Sequence, residues 1–161
     1  MSDDSQFALL KSRSFLPLFV TQAIGAFNDN GLRNAVTILI TFELAVNQGW
    51  NATAFVQAAT AVFILPYFLF SAIAGQLADK FDKALMARRI KLFEIAAMAF
   101  GVASLWLDNP YLFLAVLFFA GTLAAFFGPI KYGILPQHLN RDELIAGNAL
   151  IEMGTFVTIL L

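Results

Sequence analysis

Five long apolar runs, separated by short polar stretches, make up most of the sequence. They cover about residues 15–46, 52–76, 85–107, 111–128 and 144–161. A helix needs ~20 apolar residues to cross the ~30 Å hydrocarbon core of a bilayer, at 1.5 Å per residue. The pattern predicts an all-α membrane protein with four complete transmembrane helices and a truncated fifth, preceded by a polar tail at residues 1–14.

The fifth run reaches the last residue with no polar stretch after it. Proteins seldom end inside a bilayer, so we expect the chain to be the N-terminal fragment of something longer. On this interpretation residues 15–161 form part of the N-terminal half of a larger membrane domain. The partner that this predicts is the missing C-terminal half of the same protein.

The basic residues alternate between the connections. Two lie in the tail, none in the first connection, five between Lys80 and Lys91, none in the third connection and two before the fifth run, which leaves only Arg33 within a predicted helix. Short loops rich in Lys and Arg stay on the cytoplasmic side. The alternation therefore predicts four spans with a cytoplasmic N-terminus.

The composition agrees with a membrane protein and narrows the chemistry. The chain is 60% hydrophobic and 13% charged, whereas soluble domains are nearer half apolar and a quarter charged. A net charge of -1 argues against nucleic acid as a partner. There is no cysteine and a single histidine, and we find no catalytic motif, so we expect no metal, no cofactor and no enzymatic site within this sequence.

Charged residues inside the first helix need an explanation, because a lone charge at the bilayer centre costs ~2.5–3.5 kcal/mol. Asp29 and Arg33 are four residues apart and can pair on one helix face. One interpretation is a self-neutralising pair that lets the helix insert. The other is a polar patch facing a water-filled substrate cavity, which the flanking Asn28 and Asn30 favour.

Three more charged residues also need an explanation. Glu94 lies one turn beyond Lys91 and is best explained as a partner for the basic loop. Glu152 has no base nearby in sequence, so it must find a partner elsewhere, be protonated or face water, and we favour a functional role. Lys131 either anchors to lipid phosphate, which its residue type favours, or holds the phosphate of a substrate.

Two local signals predict helix ends. Gly128 and Pro129 lie in a stretch dense in Gly and Pro, which predicts the end of the fourth helix. Asn140, with Glu143 three residues later, looks like a capping pair at the start of the fifth.

The basic loop resembles the loop signature of the major facilitator superfamily. That signature joins the second and third helices and reads Gly-x-x-x-Asp-Arg/Lys-x-Gly-Arg/Lys-Arg/Lys. The matching residues here are Gly75, Asp79, Lys80 and Lys83. Asp82 stands where the family usually has a second glycine, and Ala84 replaces the final base.

Four segments together are similar to the lysophospholipid transporters, one branch of this superfamily. They are residues 26–30, 75–80, 128–135 and 148–152. The resemblance implies twelve helices in two six-helix halves with alternating access. It also implies that lysophospholipids, such as lysophosphatidylethanolamine, are flipped across a bacterial inner membrane.

The resemblance assigns expected roles to particular residues. The headgroup path takes the six polar positions Asn28, Asp29, Asn30, Arg33, Lys131 and Glu152. The cytoplasmic gate and loop motif take Gly75, Asp79, Lys80, Asp82, Lys83 and Glu94. Some members of the branch are fused to an acyltransferase and an acyl-carrier-protein ligase. Two alternatives therefore stay open, namely the membrane domain of such a bifunctional enzyme and a transporter of another small solute.

Overall fold

The computed structural model describes residues 7–39, 41–42, 49, 51–107 and 109–160. Within these ranges all regular secondary structure is helical. A short 3₁₀ turn at Leu9–Lys11 precedes five α-helices, which we label α1 to α5 in chain order. They are α1 (Leu16–Leu39), α2 (Ala52–Lys80), α3 (Lys83–Trp106), α4 (Pro110–His138) and α5 (Leu144–Leu160).

Side-chain caps mark the starts of several helices, including α4, where the Asn109 side chain accepts a hydrogen bond from the Tyr111 amide at 3.0 Å. The Asn51 side chain accepts a hydrogen bond from the Ala54 amide at 3.1 Å, which opens α2. Asp82 accepts from the Leu85 amide at 2.7 Å, which opens α3. Before α5, the Glu143 carboxylate accepts from the Asn140 amide at 3.0 Å, which confirms the predicted capping pair.

The predicted end of the fourth helix at Gly128 and Pro129 is wrong, because α4 continues to His138. A proline inside a helix removes one hydrogen bond, here the one to the Ala125 carbonyl, and membrane helices tolerate this loss. Burial of Ile130 and Leu135, 0% and 1% exposed, holds the following turns in place.

Other predicted boundaries differ by a few residues. Helix α2 runs four residues past the expected end and includes Ala78, which is buried. Helix α1 has helical residues up to Leu39. The predicted continuation of the first helix to residue 46 falls largely on residues 40 and 43–48, which lie outside the described residues, as do Trp50 and Asp108 of the predicted external connections.

The described residues fall into two compact units. The second unit comprises residues 31–129, and its core joins α1, α2 and α4 through Val36, Ala59, Phe113 and Leu117. In this unit α2 and α4 approach closely at Gly121. A Cβ built there would overlap the carbonyl oxygen of Phe63 and lie 3.1 Å from its carbonyl carbon.

The first unit comprises residues 7–30 and 130–160 of the described chain. Its core packs α5 against the start of α1 and the end of α4, and it contains Leu9, Phe15, Leu135, Leu139, Ala146, Leu150 and Ile151. Gly154 allows α5 to lie directly against Phe19, because a Cβ there would be 2.8 Å from the ring. This packing positions the polar groups of α4 and α5 described below.

Two helices in the described chain are long and apolar enough to cross a membrane. They are α2 and residues Tyr111–His138 of α4. Helix α5 is also apolar but is shorter. The fold is thus all-helical with at least two membrane-spanning candidates.

Candidate functional site

A polar cluster in the first unit joins α4 to α5. The carboxylate of Glu152 accepts a hydrogen bond from the Lys131 ammonium at 3.4 Å, and the same oxygen accepts one from the hydroxyl of Tyr132. We call the two charged residues the Lys131–Glu152 pair. The partner that Glu152 lacks in its own sequence neighbourhood therefore comes from the preceding helix.

The two charges of the pair differ in their exposure. The side chain of Lys131 is only 12% exposed, whereas that of Glu152 is 40% exposed. The Lys131 ammonium also lies 4.7 Å from the centre of the Tyr132 ring, within cation–π range. The anchoring interpretation of Lys131 fits this geometry poorly, because its ammonium points to a carboxylate and a ring of its own unit.

The pair is partly removed from water. The sequence neighbours of its two residues, Ile130 and Ile151, are both fully buried. The Lys131 side chain is mostly buried, while the Glu152 side chain is partly accessible. Opposite charges that are partly removed from water attract more strongly than in bulk water. The cluster offers both a cation and an anion to a ligand that carries both charges.

Two hydrogen bonds tie α1 to α5 in the same unit. The Gln22 amide donates to the Thr155 hydroxyl at 3.2 Å, and the Asn30 amide donates to the carbonyl oxygen of Ile159 at 2.9 Å. Asn30 is buried. The Asn30 side-chain amide thus has a hydrogen-bond partner in α5, and the predicted substrate-path role of Asn30 stays a prediction.

The other predicted path residues of α1 are half-buried. Asn28 and Asp29 precede Asn30 on the same helix, and Arg33 follows one turn later, in the second unit. The backbone carbonyl of Arg33 accepts the hydroxyl of Thr37 at 2.9 Å. The substrate-path role of these three residues stays a prediction.

The predicted gate motif surrounds the two-residue connection between α2 and α3. Asp79 and Lys80 are exposed in the last turn of α2, and Lys83 is the first residue of α3. Asp82, which replaces the glycine of the family signature, has an ordinary φ of -60° and caps α3. This position therefore needs no glycine.

Gly75 has open space where a side chain would lie, so packing within the described residues does not require a glycine there. Glu94 of α3 pairs with Lys91 at 2.6 Å, which confirms its interpretation as a partner of the basic loop. The Lys91 ammonium in turn lies 4.4 Å from the centre of the Phe127 ring on α4. These contacts link the loop end of α3 to α4.

An apolar cavity of about 570 Å³ lies between α3 and α4 in the second unit. Its one polar lining residue, Ser104, donates its hydroxyl to the Gly101 carbonyl at 2.7 Å. The lining is thus suited to hydrocarbon and not to a polar headgroup. The Lys131–Glu152 pair is the stronger candidate for headgroup recognition.

Sequence reasoning missed three polar residues of the first unit, Gln22, Tyr132 and Thr155. Tyr132 follows Lys131 directly, and a tyrosine beside an intramembrane lysine is a signal that a search for polar neighbours would find. Gln22 stands alone in an apolar run and needs a hydrogen-bond partner, which predicts a contact but not the helix that provides it.

Comparison with known proteins assigns the chain to a protein family. The family model described as "Transmembrane secretion effector" matches residues 4–159. The lysophospholipid transporter LplT of Salmonella heidelberg (strain SL476) is 32% identical over 153 residues, which is 93% of this chain and 34% of the relative. The LplT proteins of Salmonella agona and Salmonella typhi match to the same extent.

The chain therefore spans about a third of the length of these curated relatives. No solved structure matches it significantly. The similarity confirms the resemblance to lysophospholipid transporters that the sequence motifs carry. Because the family model covers nearly the whole sequence, the chain belongs to the transmembrane secretion effector family of the major facilitator superfamily.

Proposed function

We propose that this chain is part of a transporter that flips lysophospholipids across a bacterial inner membrane by alternating access. The relatives that it matches are named as lysophospholipid transporters. The observation that carries the proposal is the Lys131–Glu152 pair, a cation and an anion from two helices held 3.4 Å apart. Its chemistry suits the headgroup of a zwitterionic lysophospholipid.

The proposed recognition is an exchange of partners. Lysophosphatidylethanolamine carries a phosphate and an ammonium group. The lipid phosphate binds the Lys131 ammonium, and the headgroup ammonium pairs with the Glu152 carboxylate. Both charges stay paired throughout, so the exchange avoids leaving the mostly buried Lys131 ammonium without a partner, which would cost several kcal/mol. In the first unit, Asn28 and Asp29 of α1 are proposed to add polar groups to the substrate path. Arg33, in the second unit, is proposed separately as a substrate-path residue.

The proposed topology has four complete spans and a fifth that begins at Leu144, with the N-terminus in the cytoplasm. The alternation of basic segments supports this arrangement, because the segment from Lys80 to Lys91, at the connection and the start of α3, contains five of the ten Lys and Arg residues. In this orientation Asp79, Lys80 and Lys83 lie on the cytoplasmic side. There an acidic residue can meet a helix end in one state and release it in the other.

The test determines which class of molecule the protein transports. The protein, expressed at the full length of its gene in cells that lack their own lysophospholipid transporter, is assayed with labelled lysophosphatidylethanolamine, a labelled sugar and a labelled drug. We expect accumulation of the lysophospholipid on the cytoplasmic side and no uptake of the other two. Uptake of the sugar or drug alone would contradict the proposal.

A further inference from the structure

Helix α3 has two distinct faces along its length. One face is buried or half-buried in the second unit and contains Ala87, Ile90, Glu94, Ala97, Gly101 and Ser104. These positions recur every three or four residues, as expected for one side of a helix. The opposite face is exposed and apolar, with Leu85, Leu92, Ile95, Val102 and Trp106. In a membrane protein such a face lies against lipid.

Arg88 and Arg89 lie on this exposed face. They stand between Leu85, which is 48% exposed, and Leu92, which is 67% exposed. Arg88 follows the first residue of α3 by five positions, which is roughly 7.5 Å of helix rise. The two arginines thus interrupt the exposed apolar face near the start of α3, and the residues that follow them on this face are apolar.

Among the described residues, neither Arg88 nor Arg89 forms a salt bridge. Lys91, two residues further on, behaves differently, because it pairs with Glu94 and lies over Phe127. The nearby acid Asp82 already caps the helix. The exposed end of α3 therefore carries positive charge that its own unit leaves unneutralised.

We propose that Arg88 and Arg89 form a binding site for the phosphate of an anionic membrane phospholipid. A guanidinium group matches the geometry of phosphate through two parallel hydrogen bonds, and two adjacent arginines provide two such groups. A membrane lipid carries a phosphate followed by hydrocarbon, in the order in which α3 presents the arginines and then Leu92 and Ile95. This site is separate from the Lys131–Glu152 pair and binds a lipid that is not transported.

The test measures lipid binding to the complete chain purified in detergent. Phosphatidylglycerol or phosphatidylcholine is added stepwise, and bound lipid is counted by native mass spectrometry. The site variant is Arg88→Gln with Arg89→Gln. The matched control is Lys11→Gln with Arg141→Gln, which removes two exposed positive charges elsewhere. The variant Arg88→Lys with Arg89→Lys keeps the charge and checks that the helix tolerates substitution.

We expect the wild type to bind phosphatidylglycerol more tightly than phosphatidylcholine, and added salt to weaken this preference. The site variant should lose about fivefold in affinity per arginine removed, while the control and the lysine variant keep most of the preference. Equal affinity for the two lipids overturns the proposal. An equal loss in the control overturns it as well, and so does displacement of the lipid by inorganic phosphate when sodium chloride at the same ionic strength leaves the lipid bound.

Discussion

Replacing Gly121 by alanine should destabilise the second unit, because α2 and α4 touch at this residue through backbone atoms. The added Cβ would overlap the carbonyl oxygen of Phe63 and lie 3.1 Å from its carbonyl carbon and 3.3 Å from its Cα. Ordinary contacts between carbon atoms lie at ~3.5–4.0 Å. The helices would therefore have to separate by about half an ångström or more at this point, since a backbone carbonyl cannot rotate away.

The expected cost follows from this contact. Overpacking a well-packed core costs typically ~1–3 kcal/mol, and a rigid backbone neighbour places Gly121→Ala at the upper end of that range. The gain in helix propensity on replacing glycine by alanine returns about 1 kcal/mol. The net loss of stability is then about 2 kcal/mol.

Gly128→Ala is the matched control, because Gly128 lies in the same helix and has no atom within 4 Å of a built Cβ. It should be neutral or gain up to about 1 kcal/mol from helix propensity. The resulting difference of about 2–3 kcal/mol between the two variants corresponds to about 4–12 °C in Tm for a chain of this size. Circular dichroism at 222 nm of the purified proteins in detergent, heated at one fixed rate, measures this difference. Equal Tm values for the two variants would show that the contact of Gly121 with the Phe63 backbone does not limit the size of the side chain.

Three further predictions concern the ends and connections of the helices. Asp82→Ala removes the cap of α3 and should lower Tm by about 2–4 °C, corresponding to ~1 kcal/mol, and an unchanged Tm would show that the cap contributes nothing. Glu94→Gln leaves Lys91 without its carboxylate partner and should lower Tm. Replacing both Lys91 and Glu94 by methionine should recover most of this loss. No recovery would contradict the pairing. Because the chain has no cysteine, a single introduced cysteine reports on which side of the membrane its position lies. Asn109→Cys should react with a membrane-impermeant maleimide added outside, and Gln137→Cys should react only after permeabilisation. The reverse pattern would overturn the proposed orientation.

The sequence predicted the all-helical fold because long apolar runs carry a strong signal. Asn51, Asp82 and Glu143 stand at helix starts, where short polar side chains satisfy free backbone amides. The end of α4 was missed for a physical reason. Gly128 and Pro129 break isolated helices, but tertiary packing of Ile130 and Leu135 overrides this local preference.

The candidate site was predictable only in part. An intramembrane carboxylate such as Glu152 signals that a partner exists, yet sequence spacing does not say which helix provides it. The packing of α5 on the end of α4 decides that the partner is Lys131, with Tyr132 beside it. The hydrogen bond from Asn30 to the Ile159 carbonyl likewise depends on how α1 packs on α5, which sequence spacing does not give.

The most direct test of headgroup recognition by the Lys131–Glu152 pair is the initial rate of lysophosphatidylethanolamine translocation by the full-length protein with Lys131→Gln. Losing a charge-assisted hydrogen bond to phosphate, at ~1.5–3 kcal/mol, should reduce the rate by about 10- to 100-fold. Arg141→Gln, at an exposed position outside the pair, should keep the wild-type rate, and Lys131→Arg should retain most of it. A wild-type rate for Lys131→Gln, at equal protein in the membrane, would contradict the assignment of the Lys131–Glu152 pair to headgroup recognition.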